Sequence, residues 1–218
     1  MTSNPAYFHP TAIVEDGAEI GNGTKIWHFC HIRSKSQIGK NVSIGRDGYV
    51  DSEVSIGENS RIQNGVSIFK GVEISRNCFV GPHVIFTNDM FPRVGTKSWH
   101  ITPTILRDSC SIGAGAIIRC GISIGEFAMI GAGAIVTKSV KPFRLALGTP
   151  AREIAFICAC GQTQLSLHQD AKELILDCCK ENLSPEVLDS AIVFLDANPE
   201  TFVSDSSNVV QNNKNITL

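Results

Sequence analysis

The chain has 218 residues, and its 19 Lys and Arg against 21 Asp and Glu leave a formal net charge of −2. With no Lys/Arg-rich run it carries no electrostatic footprint for nucleic acid, which argues against such a partner. No apolar run approaches the ~20 residues needed to span a bilayer, and Met1 to Phe8 lack both the basic start and the apolar core of a signal peptide, so a cytoplasmic location without membrane attachment is expected.

Residues 1–7 read as a lead-in. From Phe8 onward every sixth residue is large and apolar: Phe8, Val14, Ile20, Ile26, Ile32, Ile38, Ile44, Val50, Ile56, Ile62, Ile68, Ile74, Val80 and Phe86. Four residues after each anchor the side chain is small or modest, as at Ala12, Thr24, Cys30, Ser36, Val42 and Gly48. This period fits neither a helix nor a two-faced strand and signals a solenoid. Three short strands make one triangular turn, the anchor points to the axis, and turns stack at the strand spacing of ~4.8 Å, so residues eighteen apart lie over one another. The expected fold is an all-β solenoid, a parallel β-helix, with a small α-helical C-terminal appendage.

The early turns carry Trp27, His28, Phe29 and His31 in IWHFCHI. Such bulk in outward slots either packs against a neighbouring subunit or touches substrate. Further along, the outward positions turn to hydrogen-bonding groups, among them Arg46, Asp51, Gln63, Asn64 and Lys70. The eighteen-residue rule sets Lys70 between Ser52 and Asn88, and Phe69 between Asp51 and Thr87, a candidate groove floor.

The ladder then breaks. From Phe86 to the next anchor, Leu106, the spacing is three hexads plus two residues, so a loop is expected at about 88–104, with His83, Asn88, Asp89, Arg93 and His100 in or beside it. Loops on a rigid scaffold often carry function. The ladder resumes through Ile112, Ile118, Ile124, Ile130 and Val136, for twenty hexads and between six and seven turns. In IGAGAIVTKSV, Gly131, Ala132 and Gly133 either admit a ligand close to the main chain or merely suit tight corners.

Pro142 is read as the end of the ladder, placing the β-helix at residues 1–156, a Cys-containing helical appendage at 157–202 and a disordered polar tail at 203–218. An amphipathic helix is expected in DAKELILDCCKENL, and a second from Ser184 as N-cap and Pro185 to about Asp196. Cys30, Cys78 and Cys110 fall in the interior slot and read as reduced packing residues. Cys158 and Cys160 are one residue apart, and Cys178 and Cys179 adjacent, whereas structural zinc usually takes pairs spaced by two to four, so no metal is expected.

On these residues the chain resembles the hexapeptide-repeat acyltransferases, trimers with a left-handed β-helix acting on acyl-CoA; the left hand comes from the resemblance alone, since parallel crossovers are normally right-handed. The likeness covers about residues 8–161. IWHFCHI, IQNGVSIFKGV, GPHVIFTNDMFPR, GAGAIVTKSV with GTPAR, and ICACG are most similar to the UDP-2-acetamido-3-amino-2,3-dideoxy-glucuronate N-acetyltransferases of surface polysaccharide (O-antigen) synthesis. The resemblance departs at Cys178 and Cys179, which replace a second spaced cysteine pair.

The resemblance implies acetyl-CoA as cosubstrate, no required metal, and a homotrimer with active sites between subunits. Asn88 of FTND would accept a hydrogen bond from the sugar amine, and His83 would be either a base or a groove-wall residue. Substrate would be held by His28, His31, Gln63, Asn64, Phe69, Lys70, Asp89 and Arg93. CoA would lie along Gly113, Gly131 and Ala132, with Lys138, Arg144 and Arg152 toward its phosphates. A dTDP-3-amino-3,6-dideoxyhexose is the alternative acceptor. A non-catalytic or metal-binding trimeric scaffold is the alternative class, but His28, His31, His83 and His100 do not share an eighteen-residue column.

Overall fold

A computed structural model describes residues 4–97, 99–162, 164–165 and 178–202. The predicted tail and most of the first predicted helix lie outside these residues.

Twenty strands of two or three residues follow one another from Tyr7–Phe8 to Ile135–Val136. Each pairs in parallel with the strands three before and three after it, so that Arg61 faces Ser43 on one side and Phe79 on the other. The result is three sheets, of ten, seven and six strands, forming the faces of a triangular coil. The ten-stranded sheet includes three strands from beyond the repeats.

Burial follows the six-residue ladder. From Ile26 to Val136 no anchor is more than 3% exposed, while Phe8, with a neighbouring turn on one side only, is 44% exposed. The second interior slot tolerates hydroxyls and thiols because corner carbonyls are within reach. Thr24 Oγ1 donates to Gly39 O at 2.7 Å, Ser60 Oγ to Ser75 O at 3.0 Å, and the Cys30 thiol to Gly45 O at 3.0 Å. A buried polar group so paired costs little. The packing reading of Cys30, Cys78 and Cys110 therefore holds: all three are buried and free.

Corners impose the left-handed backbone region. In one corner column it is adopted by Phe29, Asp47, Gly65, His83, Gly115 and Gly133. Glycine enters that region without penalty, whereas Phe29 and His83 hold it against their own side chains.

The register break amounts to 14 residues, because Val80 pairs with Ile112 at a separation of 32 instead of 18. Its base is closed where Thr102 N donates to Asn88 O at 3.0 Å. The coil also runs further than Pro142. Ile130 pairs with Ala146, which is buried in the coil's core, and the strand Arg144–Gly148 turns through Thr149–Pro150 into the antiparallel strand Ala151–Ile157. Pro142 occupies a corner, and the next residue, Phe143, still donates to Glu126 O at 2.9 Å.

A second cluster closes this end. Phe127 and Phe143 stack at 4.8 Å, and Phe156, Cys158, Cys179, Ala191 and Leu195 pack with them. Ala191 and Leu195 belong to the helix Pro185–Ala197, which begins at Ser184 and Pro185 as expected, although Ser184 makes no side-chain capping bond. Among the described residues no helix is long and apolar enough to cross a membrane.

Candidate functional site

Apart from Arg144 and Arg152, which lie in the terminal hairpin, the sequence-predicted site residues fall on or along the two edges of the seven-stranded face. One edge is the corner column of His28, Gln63, Asn64 and His83, continued by Gly113, Gly131 and Ala132. The other edge holds Phe69, Lys70 and Asn88, with Asp89 and Arg93 in the loop and Lys138 further along. His31 begins a strand of the face itself. His83 and Asn88 lie beyond opposite ends of the strand Ile85–Phe86, and one chain does not bring them together.

On the first edge a groove of about 300 Å3 is lined by Trp27, His28, Ser43, Gly45, Arg46, Ile62, Gln63 and Asn64. Trp27 Nε1 donates to Ser43 Oγ at 3.2 Å, and the His28 ring stacks on His9 with centroids 3.5 Å apart. Partial burial, and then the like charge of His28, lowers the pKa of His9. Asn64 Oδ1 accepts Arg46 N–H at 3.0 Å, which commits one side of its amide to the corner stack. The His83 ring lies back over Gly65, where a Cβ would stand 2.5 Å from its Nδ1. Gly65 thus makes room for the imidazole, which stands in the same corner column as His28 and Asn64 but is not among the residues lining the groove.

On the second edge the polar side chains form one chain of contacts. His31 Nε2 pairs with Glu15 at 2.8 Å, Arg33 reaches both Glu15 at 3.3 Å and Asp51 at 3.4 Å, and Asp51 accepts Lys70 N–H at 3.2 Å. The Lys70 ammonium pairs with Glu53 at 2.8 Å, which lowers the Glu53 pKa. Asn88 Nδ2 donates to Lys70 O at 3.2 Å, fulfilling the predicted stacking of these two residues. The amide's donor end is thereby fixed, and Oδ1 has no protein partner among the described residues. Asp89 accepts Phe91 N–H at 2.8 Å and so shapes the loop. Arg93 is exposed there, alongside Phe91 and Val94.

Between the edges, His31, Tyr49 and Phe69 make a ring ladder with centroids 5.8 Å apart at each step. Sequence reasoning missed Tyr49, although it stands eighteen residues after His31. It also missed Glu15, Arg33 and His9.

One expected CoA contact, Arg144, is placed differently from the reading that named it. Arg144 is only 5% exposed; its guanidinium carbon lies 3.7 Å from the Phe156 ring centroid and its Nε 3.5 Å from Glu153. Its charge serves the terminal hairpin, not a solvent-side phosphate. A Cβ on Gly113 would strike the backbone of Ala132, and one on Gly131 would strike Leu147 Cδ2, so each glycine sits close against the next turn while staying partly exposed. Lys138 and Arg152 are exposed.

The appended cysteines also depart from expectation. Residues 178–180 are helical and return Cys178 to the end of the strand Ala151–Ile157, bringing its sulfur to 3.9 Å from Cys158 and 3.6 Å from Cys160. Among the described residues this is the one group of three metal-ligating side chains, and no histidine takes part in it.

Comparison with known proteins agrees with this architecture. The profile for "Bacterial transferase hexapeptide (six repeats)" matches residues 17–47, and that for "Hexapeptide repeat of succinyl-transferase" matches 37–70 and 103–138. The dTDP-3-amino-3,6-dideoxy-alpha-D-galactopyranose 3-N-acetyltransferase of Aneurinibacillus thermoaerophilus is 42% identical over 159 residues, 73% of this chain and 82% of that one. The bifunctional protein GlmU of Wigglesworthia glossinidia brevipalpis is 32% identical over 141 residues, 65% of this chain but 28% of its own length. A hexapeptide transferase family protein from Anaplasma phagocytophilum superposes with a TM-score of 0.49 at 18% identity, over 87% of this chain and 93% of that one.

The chain belongs to the hexapeptide-repeat transferase family. It is an enzyme of the acyltransferase class, built on a parallel β-helix.

Proposed function

We propose that the protein is an acetyl-CoA-dependent N-acetyltransferase acylating the 3-amino group of a nucleotide-linked amino sugar. The 42% identity to a dTDP-3-amino-3,6-dideoxygalactose enzyme favours a dTDP-3-amino-3,6-dideoxyhexose as acceptor over the UDP-2-acetamido-3-amino glucuronate of the sequence reading. The product would serve surface polysaccharide synthesis.

The observation that carries the catalytic reading is the tethered amide of Asn88. With Nδ2 held by Lys70 O, Oδ1 is a fixed acceptor at the loop base. An amine N–H donated to it would point the nitrogen lone pair toward a thioester carbonyl laid along the coil. A preoriented acceptor of this kind acts by positioning and removes the entropic cost of alignment at the moment of reaction.

The chemistry needs little else. The neutral amine attacks the thioester carbon, forming the C–N bond, and collapse of the tetrahedral adduct breaks the C–S bond. The amine's surplus proton leaves with the thiolate, giving amide and free CoA thiol. A backbone N–H of the groove would face the oxyanion. His83 acts as a hydrogen-bonding residue of the corner column, consistent with its ring resting on Gly65.

His83 and Asn88 lie beyond opposite ends of one strand, and in the homotrimer the family resemblance implies, a substrate between two copies would meet both kinds of edge. His28, Gln63 and Asn64 would then face Phe69, Lys70, Asp89 and Arg93 of a neighbour. Lys138 and Arg152, both exposed, are assigned to the CoA phosphates.

Mass spectrometry of the products from dTDP-3-amino-3,6-dideoxygalactose and from the UDP-amino uronate, each with acetyl-CoA, tests the reading. A gain of one acetyl group on the dTDP sugar at the higher kcat/KM is expected. Preference for the uronate would reverse the choice of acceptor.

A further inference from the structure

We propose that Cys158, Cys160, Cys178 and Cys179 bind one structural zinc ion, which ties the C-terminal appendage to the end of the coil and takes no part in acyl transfer.

The three closest sulfurs form a triangle with edges of 3.2, 3.6 and 3.9 Å. Zinc–sulfur bonds of about 2.3 Å at the tetrahedral angle set ligand sulfurs about 3.8 Å apart, so the triangle has the size of one face of a zinc–thiolate tetrahedron. Cys179 is the fourth sulfur. It lies outside the three mutually close sulfurs, is buried and accepts the Cys160 backbone N–H at 3.3 Å, and would take the fourth coordination position.

The local chain is shaped for this. Cys158 directly follows the strand Ala151–Ile157, Gly161 N donates to Cys158 O at 2.9 Å to close a tight turn, and Gly161 takes φ +77°. That turn aims Cys158 and Cys160 at one point, and Cys178 and Cys179 arrive from a helical turn. The sequence objection, that neither pair has the usual spacing, concerns how ligands are reached along the chain and not where their sulfurs end up.

A disulfide explains the arrangement less well. Three mutually close sulfurs are one more than a disulfide uses. The appendage also has little to hold it. Its described core is a small group around Phe143, Phe156, Ala191 and Leu195, and small units with few buried side chains commonly take a metal as a staple. An all-thiolate, near-tetrahedral donor set selects zinc over magnesium, calcium or manganese.

The test is elemental analysis of the full chain, purified without a polyhistidine tag from cells grown with both zinc and iron. One zinc per chain is expected. Absence of metal, or iron in place of zinc, overturns the proposal. Cys160→Ser should lose zinc at least tenfold while the control Cys110→Ser keeps it; zinc retained in full by Cys160→Ser overturns the assignment. Because Cys160 also packs against the appendage's core, a second readout uses the wild-type chain. After chelation, added Co(II) should give a thiolate-to-cobalt charge-transfer band and intense visible bands of tetrahedral cobalt, and cobalt bound without that band overturns the thiolate site. Alkylation under non-reducing conditions with chelator present should modify all four cysteines, whereas two protected as a disulfide would contradict it.

Discussion

Asn88 donates its side-chain amide to the carbonyl of Lys70 at 3.2 Å, one turn of the coil below. A residue that could have been a solvated loop asparagine is thereby held with its acceptor outward, at the point where the 14-residue insertion leaves the coil. Asn88→Ala should lower kcat about 100-fold, the range seen when one positioned hydrogen-bonding group is removed. The KM for acetyl-CoA should stay within about twofold, since Asn88 meets the acceptor. Stability should fall by only about 1 kcal/mol, the worth of one hydrogen bond. Steady-state kinetics with each substrate varied in turn checks the split.

The coil's core makes a contrasting prediction. Ile68 is fully buried between turns, and Ile68→Ala should cost about 2–5 kcal/mol in denaturant unfolding. Phe8→Ala, at an anchor 44% exposed, should cost markedly less although it deletes more atoms.

Arg144 and Lys138 separate structure from cofactor binding. Arg144→Ala removes a buried cation from Glu153 and from the Phe156 ring, and should destabilise by about 3 kcal/mol with little change in the KM for acetyl-CoA. Lys138→Ala should leave the melting temperature unchanged and raise that KM several-fold. Thermal unfolding and kinetics on the same two variants decide the matter.

The first turns should be acid-sensitive. Ser34 N–H first, then His31 and Arg33, hold the Glu15 carboxyl below its ordinary value of 4.5. A carboxyl with a depressed folded pKa binds fewer protons folded than unfolded, so its stabilisation is present above that ordinary value and lost as pH falls through the folded pKa. Hydrogen exchange at the backbone N–H of Ser34 should accelerate relative to core amides below about pH 4.5 in the native chain. In Glu15→Gln it should already be fast at neutral pH and change little on acidification.

The ladder was legible because one physical demand recurs every six residues. The anchors from Ile26 through Val136 fill the same axial slot, and the eighteen-residue rule places Asn88 over Lys70. What stayed illegible depends on contacts off the period. Arg144 reads as a surface cation until the hairpin folds Phe156 and Glu153 onto it. Pro142 reads as a stop until the corner geometry shows that an imino acid fits there. Tyr49 was hidden in plain register, since an aromatic beside Gly48 carries no motif of its own. Cys158 and Cys178 are brought together by chain reversal, which spacing along the sequence does not encode. The placement of His83 and Asn88 at opposite ends of one strand depends on which corner each occupies.

The most direct test of the central claim follows free thiol on mixing the enzyme with acetyl-CoA and dTDP-3-amino-3,6-dideoxygalactose. Thiol release is predicted to equal the acceptor added, to require the 3-amino group, and to fall about 100-fold in Asn88→Ala. Absence of acceptor-dependent thiol release with this sugar and with the UDP-amino uronate would contradict the account.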